Sequence, residues 1–180
     1  TGAMFLSIFG YGVRWPTFFA FSIPAIVPAD LQSARDGDWV SLKNAQGCAV
    51  VVFKGAGTAG DDPSITIEQA SDVAGTGAKA LAVVTEFYKK IGTLTAVGTW
   101  TKVTQSAASL LTVDTVSAEA EGIWVANIEN DQLDVDNGFD CIRVRIADTG
   151  TNAQLGSAFY ILHGLRFAAT PANLPSAIAD

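Results

Sequence analysis

Apolar and polar residues alternate at period two along several short stretches of this chain. Residues 141–148 (CIRVRIAD) place Ile142, Val144 and Ile146 on one face and Arg143 and Arg145 on the other, the signature of a half-buried strand. Residues 123–129 (IWVANIE) and 64–68 (SITIE) alternate in the same way. Residues 39–43 and 48–54 are strand-like, and 156–165 (GSAFYILHGL) is a strand that is almost wholly apolar. Shorter strands are expected over 99–105 and 109–114. Residues 79–90 (KALAVVTEFYKK) fit a helix through Leu81, Val84 and Tyr88, or a strand through Leu81, Val83 and Phe87. The β-branched content and flanking Gly/Thr turns favour the strand.

Between these runs lie Gly/Asp/Asn/Pro clusters, notably 55–63, 70–77 and 130–140, which are turn chemistry. No helix-length run separates the strands, so no βαβ rhythm exists, and no fixed repeat period is evident. The expected fold is all-β: an antiparallel β-sandwich or jelly-roll-like single domain over residues 36–167. An extended apolar arm over 1–35 precedes it, and an irregular tail over 168–180, carrying Pro171 and Pro175, follows.

The arm is the least ordinary stretch. Phe5, Phe9, Trp15, Phe18, Phe19 and Phe21 crowd into it, interrupted by Gly10, Gly12, Arg14, Pro16, Pro24 and Pro28. Those interruptions break the ~20-residue apolar run that a membrane-spanning helix needs. No basic segment precedes Arg14, as a secretory signal requires. Left in water these aromatics favour aggregation, so the expected arm is extended and buried against something. At its end, residues 30–35 are expected to make a short helical turn capped by Asp30.

Composition supports the idea of a covered surface. Of the 180 residues, 49% are hydrophobic and only 16% charged, against about 25% charged in an average domain. The net charge of −7 argues against direct nucleic-acid binding, which draws on basic side chains and counterion release.

Candidate chemistry is sparse. Gly55, Gly57 and Gly60 follow Lys54, but Asp61-Asp62-Pro63 comes next, and a phosphate loop needs Lys-Ser/Thr there and a helix N-terminus. Asp131, Asp134, Asp136 and Asp140 suggest a calcium loop. Counted from Asp134, however, the fifth, sixth and twelfth positions are Gly138, Phe139 and Arg145, where an EF-hand needs an acidic ligand, Gly and Glu. His163 has no Ser, Cys or Asp in a motif that would recruit it as a base. Cys48 and Cys141 read as separate buried hydrophobes, and with a single histidine they cannot build a zinc site. No cofactor is expected, and no enzyme activity. Arg143 and Arg145 are expected to meet carboxylates of neighbouring strands or of a partner.

Residues 38–44 (DWVSLKN), 67–81 (IEQASDVAGTGAKAL), 133–143 (LDVDNGFDCIR) and 152–156 (NAQLG) carry a resemblance to structural proteins of tailed bacteriophages and prophages. It covers residues 38–167 and includes no catalytic motif. Within that group the chain resembles head decoration (cement) proteins, with tail-tube or head–tail connector proteins as the alternative and a virion-borne hydrolase as a remote one. The resemblance implies a virion protein made in the host cytoplasm and seated on the capsid surface. It implies the major capsid protein and copies of itself as partners, in a homo-oligomer, as a trimer, with no membrane partner. The expected partner-binding residues are Phe5, Phe9, Trp15, Phe18, Phe19, Phe21, Arg143 and Arg145.

Overall fold

A computed structural model describes residues 21–111, 120–147 and 150–166. It is an antiparallel β-sandwich of twelve strand segments: β1 Phe21–Asp30, β2 Arg35–Asp36, β3 Val40–Ser41, β4 Gly47–Lys54, β5 Ile65–Ala70, β6 Lys79–Ala80, β7 Val84–Ile91, β8 Thr101–Ala108, β9 Leu110–Leu111, β10 Gly122–Glu129, β11 Cys141–Ile146 and β12 Leu155–His163. Sheet A has the order β1-β12-β4-β10-β7-β8. Sheet B is built on β11 and β5. Short β2 and β3 share the outer edge of β11, and short β6 and β9 share that of β5.

Period-two burial fixes the core. From β4, β10 and β12 of sheet A come Val50, Val52, Trp124, Ala126, Ile128, Ala158, Tyr160 and Leu162. Sheet B supplies Ile65, Ile67, Ile142, Val144 and Ile146. At roughly 1.5–3 kcal/mol for each fully buried large apolar side chain, this layer is the main favourable term holding the two sheets together.

The arm expected over residues 1–35 is corrected in its second half. Residues 21–30 form β1, an edge strand of the sandwich, with Phe21 opposite Leu162 and Asp30 opposite Leu155. Ile23, Ala25 and Ile26 are core residues. Pro24 and Pro28 are tolerated because an edge strand leaves one row of backbone groups unpaired, and register shifts fall between Pro24 and Ile26 and between Ile26 and Ala29. The other expected partner-binding aromatics of the arm, Phe5, Phe9, Trp15, Phe18 and Phe19, lie outside the described residues, as does the 168–180 tail.

The helical turn expected over 30–35 is instead an Asx turn. The Asp30 carboxylate accepts the Gln32 N–H at 3.0 Å and the Gln154 N–H at 2.8 Å. The strand expected over 39–43 shortens to β3, and that over 79–90 splits into β6 and β7. Residues 106–108 (SAA), left between the strands expected over 99–105 and 109–114, continue β8 instead.

One polar tie crosses the sandwich. Between β2 and β3 the edge of β11 is left open at Val144, whose N–H donates to the buried Tyr160 hydroxyl at 2.9 Å. That hydroxyl in turn donates to the Asp38 carbonyl at 2.9 Å, and the Gly37 N–H meets the Val144 carbonyl at 2.8 Å. A Cβ at Gly37 would stand 2.8 Å from that carbonyl oxygen, so the close approach needs glycine.

Candidate interaction surfaces

The two outer faces of the sandwich differ in chemistry. On sheet B, the cross-strand registers set Arg143 opposite Glu68 and place Arg145 opposite Asp36. Arg143 Nε donates to Glu68 at 2.7 Å and Arg145 Nε reaches Asp36 at 2.9 Å. A diagonal contact of 3.5 Å joins Arg143 to Asp36. The Arg143 guanidinium also lies 4.7 Å from the centre of the Trp39 ring. Trp39 is buried with Ala70 and Cys141 in a small second cluster. These two arginines, expected to bind a partner or neighbouring strands, are thus matched charge for charge by Asp36 and Glu68 of the same chain.

The acidic loop 130–140 is tied down in a similar way. It runs through two 3-10 turns, Asn130–Gln132 and Val135–Asn137, the second ending on Gly138 at φ 80°. The Asp134 carboxylate accepts Lys79 Nζ at 2.5 Å and Asn137 Nδ2 at 2.8 Å. The Lys79 hydrogen bond, then that from Asn137, lowers the Asp134 pKa. Lys79 also sits 4.0 Å above the Phe139 ring. Among the described residues, no three His, Cys, Asp or Glu side chains are placed to hold a metal ion.

His163 Nε2 lies 3.1 Å from Asn127 Oδ1 and 3.8 Å from Glu129, with neither a hydroxyl nor a thiol among these partners. Both cysteines are unpaired and buried. Burial pushes the Cys48 thiol well up, and Cys141 is raised to about 12 by burial and by its hydrogen bond to Asp140, so neither is a thiolate nucleophile near neutral pH. Among the described residues, no helix is long and apolar enough to cross a membrane.

Sheet A carries the other kind of surface. Every second residue of β4, β10 and β12 points into the core, so Val51, Phe53, Ile123, Val125, Phe159 and Ile161 share the opposite, outer face. The registers line them up. Pro24, Phe159, Val51, Val125 and Tyr88 form one row across five strands. Phe53 opposite Ile123, and Ile161 opposite Ala49, flank that row. Phe53 is 39% exposed and Tyr88 43%, while Val51, in neither packed cluster, is only 4% exposed. The polar groups His163, Asn127, Glu129 and Lys90 stand at its ends. Lys90 Nζ is drawn aside to the Leu94 and Ala96 carbonyls, at 3.1 and 2.9 Å. An outer sheet face of a free domain is ordinarily polar; this one is apolar in its centre.

Of the expected partner-binding residues, Phe21 therefore serves the core edge and Arg143 and Arg145 serve sheet B. The outer face of sheet A was not singled out from the sequence, although a signal for it exists. Residues 156–165 read as apolar at nearly every position, which marks a strand covered on both faces. No protein-family model matches this chain, and no curated protein is significantly similar to it.

Proposed function

We propose that this chain is a structural, non-enzymatic assembly protein of a tailed-phage virion, acting as a capsid decoration protein that binds and stabilises the head shell. The observation that carries this reading is the apolar outer face of sheet A, a surface suited to burial against protein. The resemblance across residues 38–167 supplies the virion context. The sandwich itself supplies a rigid body, and the aromatic residues 1–20 supply further apolar contacts for assembly. An extended element that adds to a rigid β domain is a recurrent way of building such contacts.

The test uses undecorated heads of the phage or prophage that encodes the sequence. The full chain should co-sediment with them saturably and appear at fixed positions on the shell in electron micrographs. A chain beginning at Phe21, which keeps β1, should bind roughly tenfold or more weakly, since one buried aromatic anchor alone is worth about that factor. Density on the tail, or no association with heads, overturns the decoration reading.

A further inference from the structure

We propose that the shell contact is made end-on, by the end of the sandwich that carries the loop 92–100, with Val97 and Trp100 seated in an uncharged apolar recess of the shell protein. This rests on the reading of the chain as a decoration protein and names the part of it that docks.

The strand registers assemble that end. Lys54 at the close of β4 pairs with Gly156 of β12 and Gly122 of β10, and Gly122 pairs with Ile91 at the close of β7. Asp30, the last residue of β1, pairs with Leu155. Of the eight large apolar side chains exposed among the described residues, five (Val27, Phe53, Val97, Trp100 and Leu155) stand at or near this end. Val97 is fully exposed, Val27 and Leu155 are about two-thirds exposed, and Trp100 about half. The middle of the outer face is already closed to solvent at Val51, so the accessible apolar surface is concentrated at this end.

The loop is built to hold its apolar residues outward. Residues 91–101 (IGTLTAVGTWT) contain no charged residue. Lys90 Nζ, bonded to the Leu94 and Ala96 carbonyls, closes the loop from inside. Glu121 holds its first part: the Glu121 carbonyl accepts the Gly92 N–H at 2.9 Å, and the carboxylate accepts the Leu94 N–H at 2.7 Å. A Cβ at Gly98 would stand 2.8 Å from Lys90 Cε, so the chain packs directly on the lysine stem. Val97 and Trp100 are thus presented from a fixed frame, which lowers the ordering cost of binding. Tryptophan is among the residues that most often anchor an interface.

Charge separates the two ends of the molecule. At the end with Val97, Asp30 is taken up by the Gln32 and Gln154 N–H groups, Asp61 by the backbone and side-chain N–H groups of Asn152, and Glu121 by Leu94. Asp62 beside them is half-buried. At the opposite end Gly47 pairs with Glu129 and His163, and the 130–140 loop departs. There the Asp140 N–H bonds the Ala70 carbonyl, which brings up the 71–78 turn. Asp72, Glu129, Asp131, Asp134, Asp136 and Asp140 gather at this end and outnumber the cations Lys43, Lys79 and Arg166; Asp72, Asp131 and Asp136 are exposed. An apolar surface enters a protein contact readily, whereas solvated carboxylates resist losing their water. The chain therefore meets the shell with its 92–100 end and keeps its acidic end in solvent. A lipid surface fits the 92–100 end less well. Lys90 is turned into the loop and Lys102 onto Glu86 at 2.6 Å, so neither is offered to anionic headgroups.

Both cysteines of the chain are buried, so a single introduced thiol reports its own surroundings. Val97→Cys places one on the 92–100 loop and Asp136→Cys places one on the acidic loop, both at exposed positions. Each variant is reacted with a maleimide, first free and then bound to undecorated heads of the phage or prophage that encodes the chain. Labelling at position 97 should be lost on the heads, while labelling at position 136 proceeds as in the free protein. Trp100→Ser should weaken head binding ~tenfold or more, as loss of a central aromatic anchor does. Val97→Asp, at a fully exposed position, should weaken it too, and tests the contact even if Trp100→Ser fails to fold. Equal labelling at position 97 on and off the heads, or protection at position 136 instead, overturns the end-on contact and leaves the decoration reading standing. Protection at position 97 that grows with the concentration of free chain assigns this end to a second copy and overturns the shell contact. Protection on phosphatidylcholine–phosphatidylglycerol vesicles but not on heads assigns it to a membrane and does the same. Failure of the unaltered chain to bind heads overturns the decoration reading, and this contact with it, so the two failures are distinguishable.

Discussion

Tyr160 shows how much a single side chain holds in this fold. Its ring fills the core from sheet A while its hydroxyl stands in for a missing strand partner on sheet B, satisfying Val144 N–H and the Asp38 carbonyl. Burial raises its pKa further above the usual phenol range, so it remains a donor at all working pH values. Tyr160→Phe keeps the packing and removes both bonds, leaving Val144 N–H buried without its partner. The expected loss is about 1–3 kcal/mol, read as a lower urea midpoint with an unchanged slope. A second set of single residues sets the acid limit. Asp72 accepts the Thr76 and Ala74 N–H groups at 2.9 and 3.0 Å, and its pKa lies below the ordinary 3.8, chiefly through the Thr76 backbone bond. Asp30 is lowered by the Gln154 and Gln32 N–H groups, and Asp134 by Lys79. A carboxyl whose folded pKa is depressed contributes stability above its unfolded pKa and loses it as pH falls toward the folded value. Melting temperature should therefore hold from pH 7 to about 5 and fall below about pH 4. In Asp72→Asn the fall should be shallower; an identical acid profile would show that ionisation of Asp72 contributes nothing to the acid limit.

Among the elements, those legible in the sequence are the ones with a dry face and a wet face. β5 and β11 announce themselves because one side packs on the core and the other carries polar side chains, as Arg143 and Arg145 do; in β10 the outer side is apolar at Ile123 and Val125 and turns polar only at Asn127 and Glu129. β1 was hidden by its prolines. Pro24 and Pro28 forbid a central strand, and only the topology reveals that β1 has a single neighbour, β12, among the described strands. β8 was blurred for the opposite reason. Its residues Thr101–Ala108 are largely exposed on both faces, so burial imposes no alternation on Thr, Lys, Gln and Ser there. β3 stops at two residues because the Tyr160 hydroxyl, a group more than a hundred positions away in the chain, takes over the ladder at Val144. The interaction surface follows the same logic. A strand apolar on both faces looks like any buried strand until its register is known. Only the alignment of Phe159, Val51, Val125 and Tyr88 across neighbouring strands turns separate apolar residues into a face. The charge lattice on sheet B was half legible: the paired arginines were visible, and their pairing with Asp36 and Glu68 depended on which strands flank β11.

At the scale of the whole molecule, the order of sheet A makes the fold depend on its last strand. β12 lies between β1, the first strand, and β4, and it brings Ala158, Tyr160 and Leu162 into the core. Without it β1 has no partner among the described strands, β4 loses one of its two neighbours, and the Val144 position on sheet B loses its hydroxyl. A chain ending at Gln154 should therefore lack a cooperative urea transition, whereas one ending at Arg166, which retains all twelve strand segments, should keep it. The same topology sets the pace of folding. Phe21 must find Leu162 and Gly47 must find His163, so loop closure has to precede most of the stabilising contacts. Such non-local pairing places refolding of β-sandwiches on roughly the millisecond-to-second scale. Stopped-flow refolding followed by tryptophan fluorescence, to which buried Trp39 and Trp124 contribute, should fall in that window. A submillisecond native signal would mean that sheet A acquires its structure before β12 is inserted, and the central role given to that strand would then be wrong.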